Sequence, residues 1–203
     1  LAGVAGIAFR SSGNILRTPY AAVLPDLDQL PAPAYHLWSG IEKRRTVPLE
    51  VGRGCPFACT FCSTSPFFRR QYRLKAPGRV IEQMRAIRQA YGIGTFNLVH
   101  DAFTVDRAKV VAFCQALLDS GEQFHWTCCA RTDCVDEELL ALMAQAGCTG
   151  IFFGLETGSA PMQRAINKRL DLDQARTARP VELLPGVQQS AARTAMECGP
   201  PFR

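Results

Sequence analysis

Apolar residues change their spacing along this chain at about residue 46. Upstream, residues 6–17 read as a small hairpin whose turn uses the positive φ angles that Gly13 and Asn14 tolerate. Pro25, Pro31 and Pro33 then predict an extended stretch over 25–35. From Thr46 on, strand and helix periods alternate. Val47, Leu49 and Val51 form a strand that stops at Gly52-Arg53-Gly54, and Val80, Ile81, Met84, Ile87 and Tyr91 form a helical stripe closed by Gly92. The unit repeats with a strand at 96–100 and a stripe at Val110, Phe113, Cys114, Leu117 and Leu118, opened by Asp106 and ended near Gly121. A third strand at 124–129 precedes a helix capped by Asp136, with Leu139, Leu140, Leu142 and Met143 facing inward and a stop at Gly147. A fourth strand at 151–155 leads to a helix opened by Ser159 and Pro161. Four β/α units in series predict an α/β fold with a parallel sheet and right-handed crossovers, either open or part of a barrel. After about Ala175 the periodicity is lost among Pro180, Pro185, Gly186, Gly199, Pro200 and Pro201.

Composition narrows the class. The 203 residues are 47% apolar and 20% charged, which suits a globular protein with a real core and disfavours disorder. No apolar run reaches the roughly 18 residues that a bilayer requires, and the start lacks a charged region followed by a long apolar one. The expected location is therefore cytoplasmic, with no membrane partner. The first residue is Leu, which reads as an excerpt from a longer product. The formal charge of +5 is uneven: Lys and Arg outnumber Asp and Glu by 11 to two between Lys43 and Arg88. Such a band can serve an anionic ligand or nucleic acid. Without a nucleic-acid-binding pattern around it, a solvated basic face is the preferred reading.

Nine cysteines, an odd number with three inside eight residues, point to metal or redox chemistry rather than to a disulfide framework. The three lie in Gly52-Arg-Gly-Cys55-Pro-Phe-Ala-Cys59-Thr-Phe-Cys62, spaced C-x3-C-x2-C directly after the first strand. Three thiolates on one loop can hold three corners of a cubane iron–sulfur cluster and leave one iron open. A structural zinc site wants four ligands, and no His stands near. Cys114, Cys128, Cys129 and Cys148 fit core packing instead, and adjacent Cys128 and Cys129 face opposite sides of a strand.

This spacing, with Phe61 before the last cysteine, resembles the radical S-adenosylmethionine (SAM) superfamily. Pro25-Asp-Leu-Asp-Gln-Leu-Pro-Ala-Pro, Arg53-Gly-Cys-Pro-Phe and Phe153-Gly-Leu-Glu-Thr-Gly-Ser resemble the subgroup in which a cobalamin-binding domain precedes the radical domain, over roughly residues 20–170. The resemblance implies a 4Fe-4S cluster on Cys55, Cys59 and Cys62, whose open iron chelates the methionine end of SAM. An electron from a donor such as flavodoxin or ferredoxin then cleaves a carbon–sulfur bond to give a 5′-deoxyadenosyl radical; in cobalamin-dependent relatives a second SAM supplies a methyl group. Asp101, after the second strand, corresponds to the contact with the SAM amino group; its plain alternative is capping the next turn. Arg131 suits the SAM carboxylate, the alternative being a surface pair with Asp133. Glu156 matches the family glutamate on the ribose hydroxyls, with Ser159 alongside; a carboxylate beside Phe152 and Phe153 is otherwise costly.

A full radical domain of this type resembles six β/α units, and four are visible. The expected division is a lead-in over 1–40 following a lost cobalamin domain, a partial radical SAM barrel over 41–175, truncated after about four units, and an irregular tail over 176–203. Two readings follow: a radical SAM enzyme of unknown substrate, or a noncatalytic fragment that holds a cluster. Either predicts that replacing Cys55, Cys59 or Cys62 by Ala abolishes the visible absorbance of the reconstituted cluster, whereas Cys128→Ala and Cys148→Ala leave it intact. Loss of the cluster in Cys128→Ala refutes three-cysteine ligation.

Overall fold

The computed structural model describes residues 1–177. Strands β1 (Ala8–Ser11) and β2 (Asn14–Arg17) pair antiparallel as the expected hairpin. Its turn is Ser12-Gly13 rather than Gly13-Asn14, with φ of 49° and 84°, because Asn14 already pairs with Ser11. Two consecutive positive φ angles match the right-handed twist of a two-stranded ribbon. The prolines that follow do not keep residues 25–35 extended. Single 3-10 turns form at Leu27–Gln29 and Tyr35–Leu37, and the Asp26 carboxylate starts the first by accepting from the Asp28 N–H at 2.9 Å, a local bond that competes with extension.

The remaining elements are β3 (Val47–Glu50), β4 (Gly52–Arg53), α1 (Thr64–Phe67), β5 (Arg73–Leu74), α2 (Pro77–Tyr91), β6 (Thr95–Val99), α3 (Arg107–Asp119), β7 (His125–Ala130), α4 (Glu137–Gln145), β8 (Cys148–Phe153), α5 (Ala160–Ala165) and α6 (Leu172–Thr177). Helix α6 continues past Ala175; the rest of the expected irregular tail, 178–203, lies outside the described residues. Strands β3, β6, β7 and β8 form one parallel sheet in chain order. Each strand adds to the same edge, so right-handed crossovers place α2, α3 and α4 on one side of the sheet. A doubly wound sheet would reverse direction partway; this one does not, and the fold is an α/β arc of a (β/α) barrel wall. The fourth strand runs over 148–153 instead of 151–155, because Trp126 of β7 pairs with Cys148 and the chain leaves the sheet before Gly154.

Burial follows the two periods. Leu49, Phe96, Leu98, Trp126 and Cys128 lie under Met84, Val110, Leu117, Leu139 and Met143, while the alternating Pro48, Asn97, Val99 and His125 are exposed. The Trp126 ring meets Phe113 and Phe103 edge-on at 5.6 and 5.9 Å, and its Nε1 donates to the Ala146 carbonyl at 2.8 Å, so the largest core side chain is also satisfied. Asp106 and Asp136 cap α3 and α4 as the sequence predicts. Cys114, Cys128 and Cys148 are buried in this core, and burial pushes the Cys114 thiol up to about 12, which leaves it protonated and inert. Among the described residues no helix is long and apolar enough to cross a membrane.

Part of the basic band points inward to the lead-in. Arg69 and Arg79 donate to the Ala21 and Leu30 carbonyls at 2.8 and 3.3 Å, and Arg73 donates to the Leu24 carbonyl. In the other direction, the Asp28 carboxylate accepts from the Ala76 N–H at the start of α2, at 3.0 and 3.2 Å.

His100 follows β6 and is buried, with its Nδ1 accepting from the Ala102 N–H at 3.0 Å. Burial pushes its pKa down from 6.5 to about 4, partly offset by Asp101. The unfolded chain therefore takes up the proton first, so this contribution to stability is whole above pH 6.5 and is lost as the pH falls to 4, by about 3 kcal/mol in all. Urea unfolding of the metal-free chain should show this slope, and His100→Phe should flatten it; an unchanged slope would assign the titration to another group.

Candidate functional site

After β3 the chain forms a ribbon that periodicity does not reveal: β4 pairs antiparallel with β5, Gly52 opposite Leu74 and Arg53 opposite Arg73. Residues 54–72 are the excursion this ribbon closes. Gly54 has φ of 86°, and a Cβ there would collide with the Gln71 carbonyl oxygen, so only glycine launches the loop at this angle. Cys55, Cys59 and Cys62 follow, all partly exposed free thiols.

The loop has little regular structure of its own, and distant residues satisfy its backbone. Ser65 Oγ donates to the Phe57 carbonyl. The Thr60 N–H donates to the Ile166 carbonyl at 2.9 Å, and Asn167 Nδ2 donates to the Ala58 carbonyl at 2.8 Å. Burial pushes the Cys55 thiol up, the Phe57 N–H pulls it back, and neighbouring Cys62, Asp101 and Cys59 add repulsion. The Cys55 thiol thus feels the two other loop thiols and one carboxylate, negative groups that a cationic iron–sulfur core would offset. Among the described residues, no three His, Cys, Asp or Glu groups converge as they would on a single metal ion. A cubane does not ask for that convergence, because each thiolate meets a different iron. The donor set fits such a cluster.

The other expected residues stand on the same rim. Asp101 does not cap the turn after it, since the 3-10 turn Phe103–Val105 starts at Ala102 without a side-chain cap. Instead its Oδ1 accepts from Thr64 Oγ1 at 3.0 Å, which joins the end of β6 to α1 beside the cysteines. Arg131 follows β7 and does pair with Asp133, at 2.9 and 2.7 Å, but as a buried group rather than a surface one. Its Nη2 also donates to the Lys168 carbonyl at 3.0 Å, and its Cζ lies 3.7 Å from the centre of the Phe57 ring. Burial works against the guanidinium charge, yet Asp133, Cys134 and Cys59 hold its pKa above the usual arginine value. Nη1 is buried with no protein partner.

Glu156 corrects the burial argument made for it. Phe152 is 65% exposed and Glu156 itself is exposed, so no hydrophobic setting penalises the carboxylate. It is held by Lys168, whose Nζ lies 3.0 Å from Oε1, and its backbone adopts φ of 61°. Buried Gln163 frames it, Nε2 donating to the Leu155 and Thr157 carbonyls at 2.8 Å each. Gly154 leaves room for the pair: a Cβ there would come within 2.7 Å of Glu156 Oε1 and 3.0 Å of Lys168 Nζ. Ser159 caps α5, accepting from the Met162 N–H at 3.5 Å. Phe61 is 55% exposed, with Lys168 Nζ 5.8 Å from its ring centre. Sequence reasoning missed Thr64, Gln163, Asn167 and Lys168. Only the asparagine, a residue tolerant of positive φ, carries a local signal.

Residues 49–178 match the sequence profile of the radical SAM superfamily, and the chain belongs to that superfamily. An uncharacterised methyltransferase of Pyrococcus horikoshii is 28% identical over 188 residues, 88% of this chain and 41% of that protein. The anaerobic magnesium-protoporphyrin IX monomethyl ester cyclase of Rubrivivax gelatinosus is 30% identical over 185 residues, 86% of this chain and 33% of the cyclase. The chain therefore spans well under half the length of these relatives. The structure of the cobalamin-dependent SAM radical enzyme OxsB, with aqua-cobalamin and SAM bound, superposes with a TM-score of 0.75 at 23% identity, over 88% of this chain and 28% of that one, which establishes the shared fold.

Gly54→Ala should strain the loop's launch by about 1–3 kcal/mol, from the left-handed backbone and the collision with Gln71. Thermal unfolding of the metal-free chain should show the loss together with reduced iron uptake. Gly78→Ala, inside α2 with nothing near its Cβ, should instead stabilise slightly. Equal melting temperatures for the two variants would contradict this account.

Proposed function

We propose that this chain is the cluster-holding and SAM-binding part of a radical SAM enzyme. The observation that carries the reading is positional: the cysteine loop, Asp101, Arg131 and Glu156 follow four successive strands of one parallel sheet, where such sheets gather ligands. Cys55, Cys59 and Cys62 would hold a 4Fe-4S cluster. Bound there, the cluster supplies one electron that cleaves a carbon–sulfur bond of SAM, giving methionine and a 5′-deoxyadenosyl radical.

The protein's own share is binding and orientation. Asp101, steadied by Thr64, accepts from the SAM ammonium. Arg131 is already occupied by Asp133 and the Lys168 carbonyl and its Nη1 is enclosed by protein, so it would act on the SAM carboxylate through its charge rather than through an open donor. Glu156 accepts from the ribose hydroxyls, with Ser159 at the adjacent helix start and Phe61 lining the loop side. A low-potential flavodoxin or ferredoxin supplies the electron, and the expected setting is the cytoplasm. Cobalamin-assisted methyl transfer is the reaction subtype we favour, because one relative is named a methyltransferase and the superposed OxsB structure is that of a cobalamin-dependent enzyme; no described residue is assigned to the cobalamin. A second reading is a chain that holds the cluster on Cys55, Cys59 and Cys62 without turnover.

Anaerobically reconstituted chain with SAM and dithionite decides between them: 5′-deoxyadenosine above a cluster-free control supports the enzyme, and its absence with full cluster occupancy supports the second reading. Glu156→Ala should spare the cluster but weaken SAM binding by a factor of about 10–150, the worth of a hydrogen bond to a charged acceptor at roughly 1.5–3 kcal/mol. An unchanged dissociation constant would remove Glu156 from the site.

A further inference from the structure

Residues 166–168, between α5 and α6, touch both ends of the candidate site. The Ile166 carbonyl accepts from the Thr60 N–H at 2.9 Å, and Asn167 Nδ2 donates to the Ala58 carbonyl at 2.8 Å, so the two peptide groups flanking Cys59 are tied to this one stretch. Lys168 is 9% exposed; its Nζ reaches Glu156 Oε1 at 3.0 Å, and its carbonyl accepts from Arg131 Nη2 at 3.0 Å. The stretch turns as the left-handed end of α5: Asn167, at φ of 53°, donates its N–H to the Arg164 carbonyl at 3.0 Å, and the Lys168 N–H donates to the Gln163 carbonyl at 3.1 Å.

We propose that residues 166–168 are a clasp that couples the cysteine loop to the Glu156 carboxylate, with Asn167 fixing the loop around Cys59 and Lys168 aiming the carboxylate at the ribose of SAM. Both are positioning residues. Because the loop faces the methionine end of SAM and Glu156 the adenosine end, one three-residue stretch sets the distance between the two halves of the ligand site. The Lys168 half rests on the SAM reading above; the Asn167 half rests on contacts within the chain alone.

The test has two arms on the full chain. In the metal-free protein, alkylation by iodoacetamide is followed at each cysteine by peptide mass spectrometry. Asn167→Gly keeps the left-handed backbone and deletes only the amide, so Cys59 should react about three- to ten-fold faster, the loss of one hydrogen bond. Partly exposed Cys129 and Cys134, which the clasp does not touch, should keep their rates. A general rise at all three, or no change at Cys59, overturns this half, since a merely structural lesion would loosen every site. In the cluster-loaded protein, SAM affinity is measured by equilibrium dialysis for Lys168→Met, Glu156→Gln and the double variant. Each single change should weaken binding about three- to thirty-fold, and the double should be no weaker than Glu156→Gln, because Lys168 acts through that carboxylate. Losses that multiply overturn the Lys168 half while leaving the SAM reading standing. A wild-type chain that holds its cluster and binds no SAM overturns that reading and the Lys168 half together.

Discussion

Parallel strands cannot be joined by a tight turn; each pair needs a crossover, and the crossover returns the chain to the same end of the sheet. Everything at the site of this protein depends on that constraint. Strands β3, β6, β7 and β8 all run one way, so whatever follows them arrives on one rim. The residues that follow are Val51 and the cysteine loop, His100 and Asp101, Arg131, and Gly154 to Glu156. They span about half the chain in sequence and become neighbours because Leu49, Leu98 and Cys128 are buried beneath the same helical layer. The apolar side of the strands supplies the stability, and the rim is left to chemistry.

A rim made of loops must find partners for its backbone elsewhere, since unpaired peptide groups are costly once water is excluded. Here the partners come from two directions. From below, Gly54 and the β4–β5 ribbon set the angle at which the cysteine loop departs. From across the rim, Ile166, Asn167 and Arg131 meet it, and Arg131 brings a ring contact with Phe57 and a bond to the Lys168 carbonyl. The loop that offers three thiols is thus held by bonds within the chain itself, which suits orienting a bound group rather than merely holding it.

How much of this was legible in the sequence follows from the range of each interaction. The strands around Leu49, Leu98 and Cys128 and the helices started by Asp106 and Asp136 are written in local period and caps, and they formed within a few residues of the expected limits. The cysteine spacing is equally local. What could not be read was contact between distant segments: Asn167 with Ala58, Thr64 with Asp101, Lys168 with Glu156. No periodicity announces a two-residue ribbon such as β4–β5. The misreadings have the same origin. The neighbours Phe152 and Phe153 suggest burial for Glu156, but strand alternation and an exposed end leave Phe152 facing out, so adjacency in sequence says nothing about burial. The prolines of residues 25–35 suggest an extended chain, and the Asp26 side chain overrides them locally.

The basic band changes meaning for the same reason. Read as a string, 11 Lys and Arg against two acids between Lys43 and Arg88 suggest a solvated basic face, with an external anion as the alternative. In the fold, Arg69, Arg73 and Arg79 donate to carbonyls of the lead-in, Arg53 forks onto Glu50, and Arg85 and Arg88 share Glu122 from outside the band. Guanidinium groups suit that work because five donors on a planar head can reach a backbone carbonyl while the stem packs against apolar surface. A carbonyl carries no formal charge, so each such contact leaves the net charge in place while tying a guanidinium to the chain. Three of the eleven cations of this segment thus fasten the lead-in to the barrel wall, and a surplus of like charge in a sequence need not all serve an external anion.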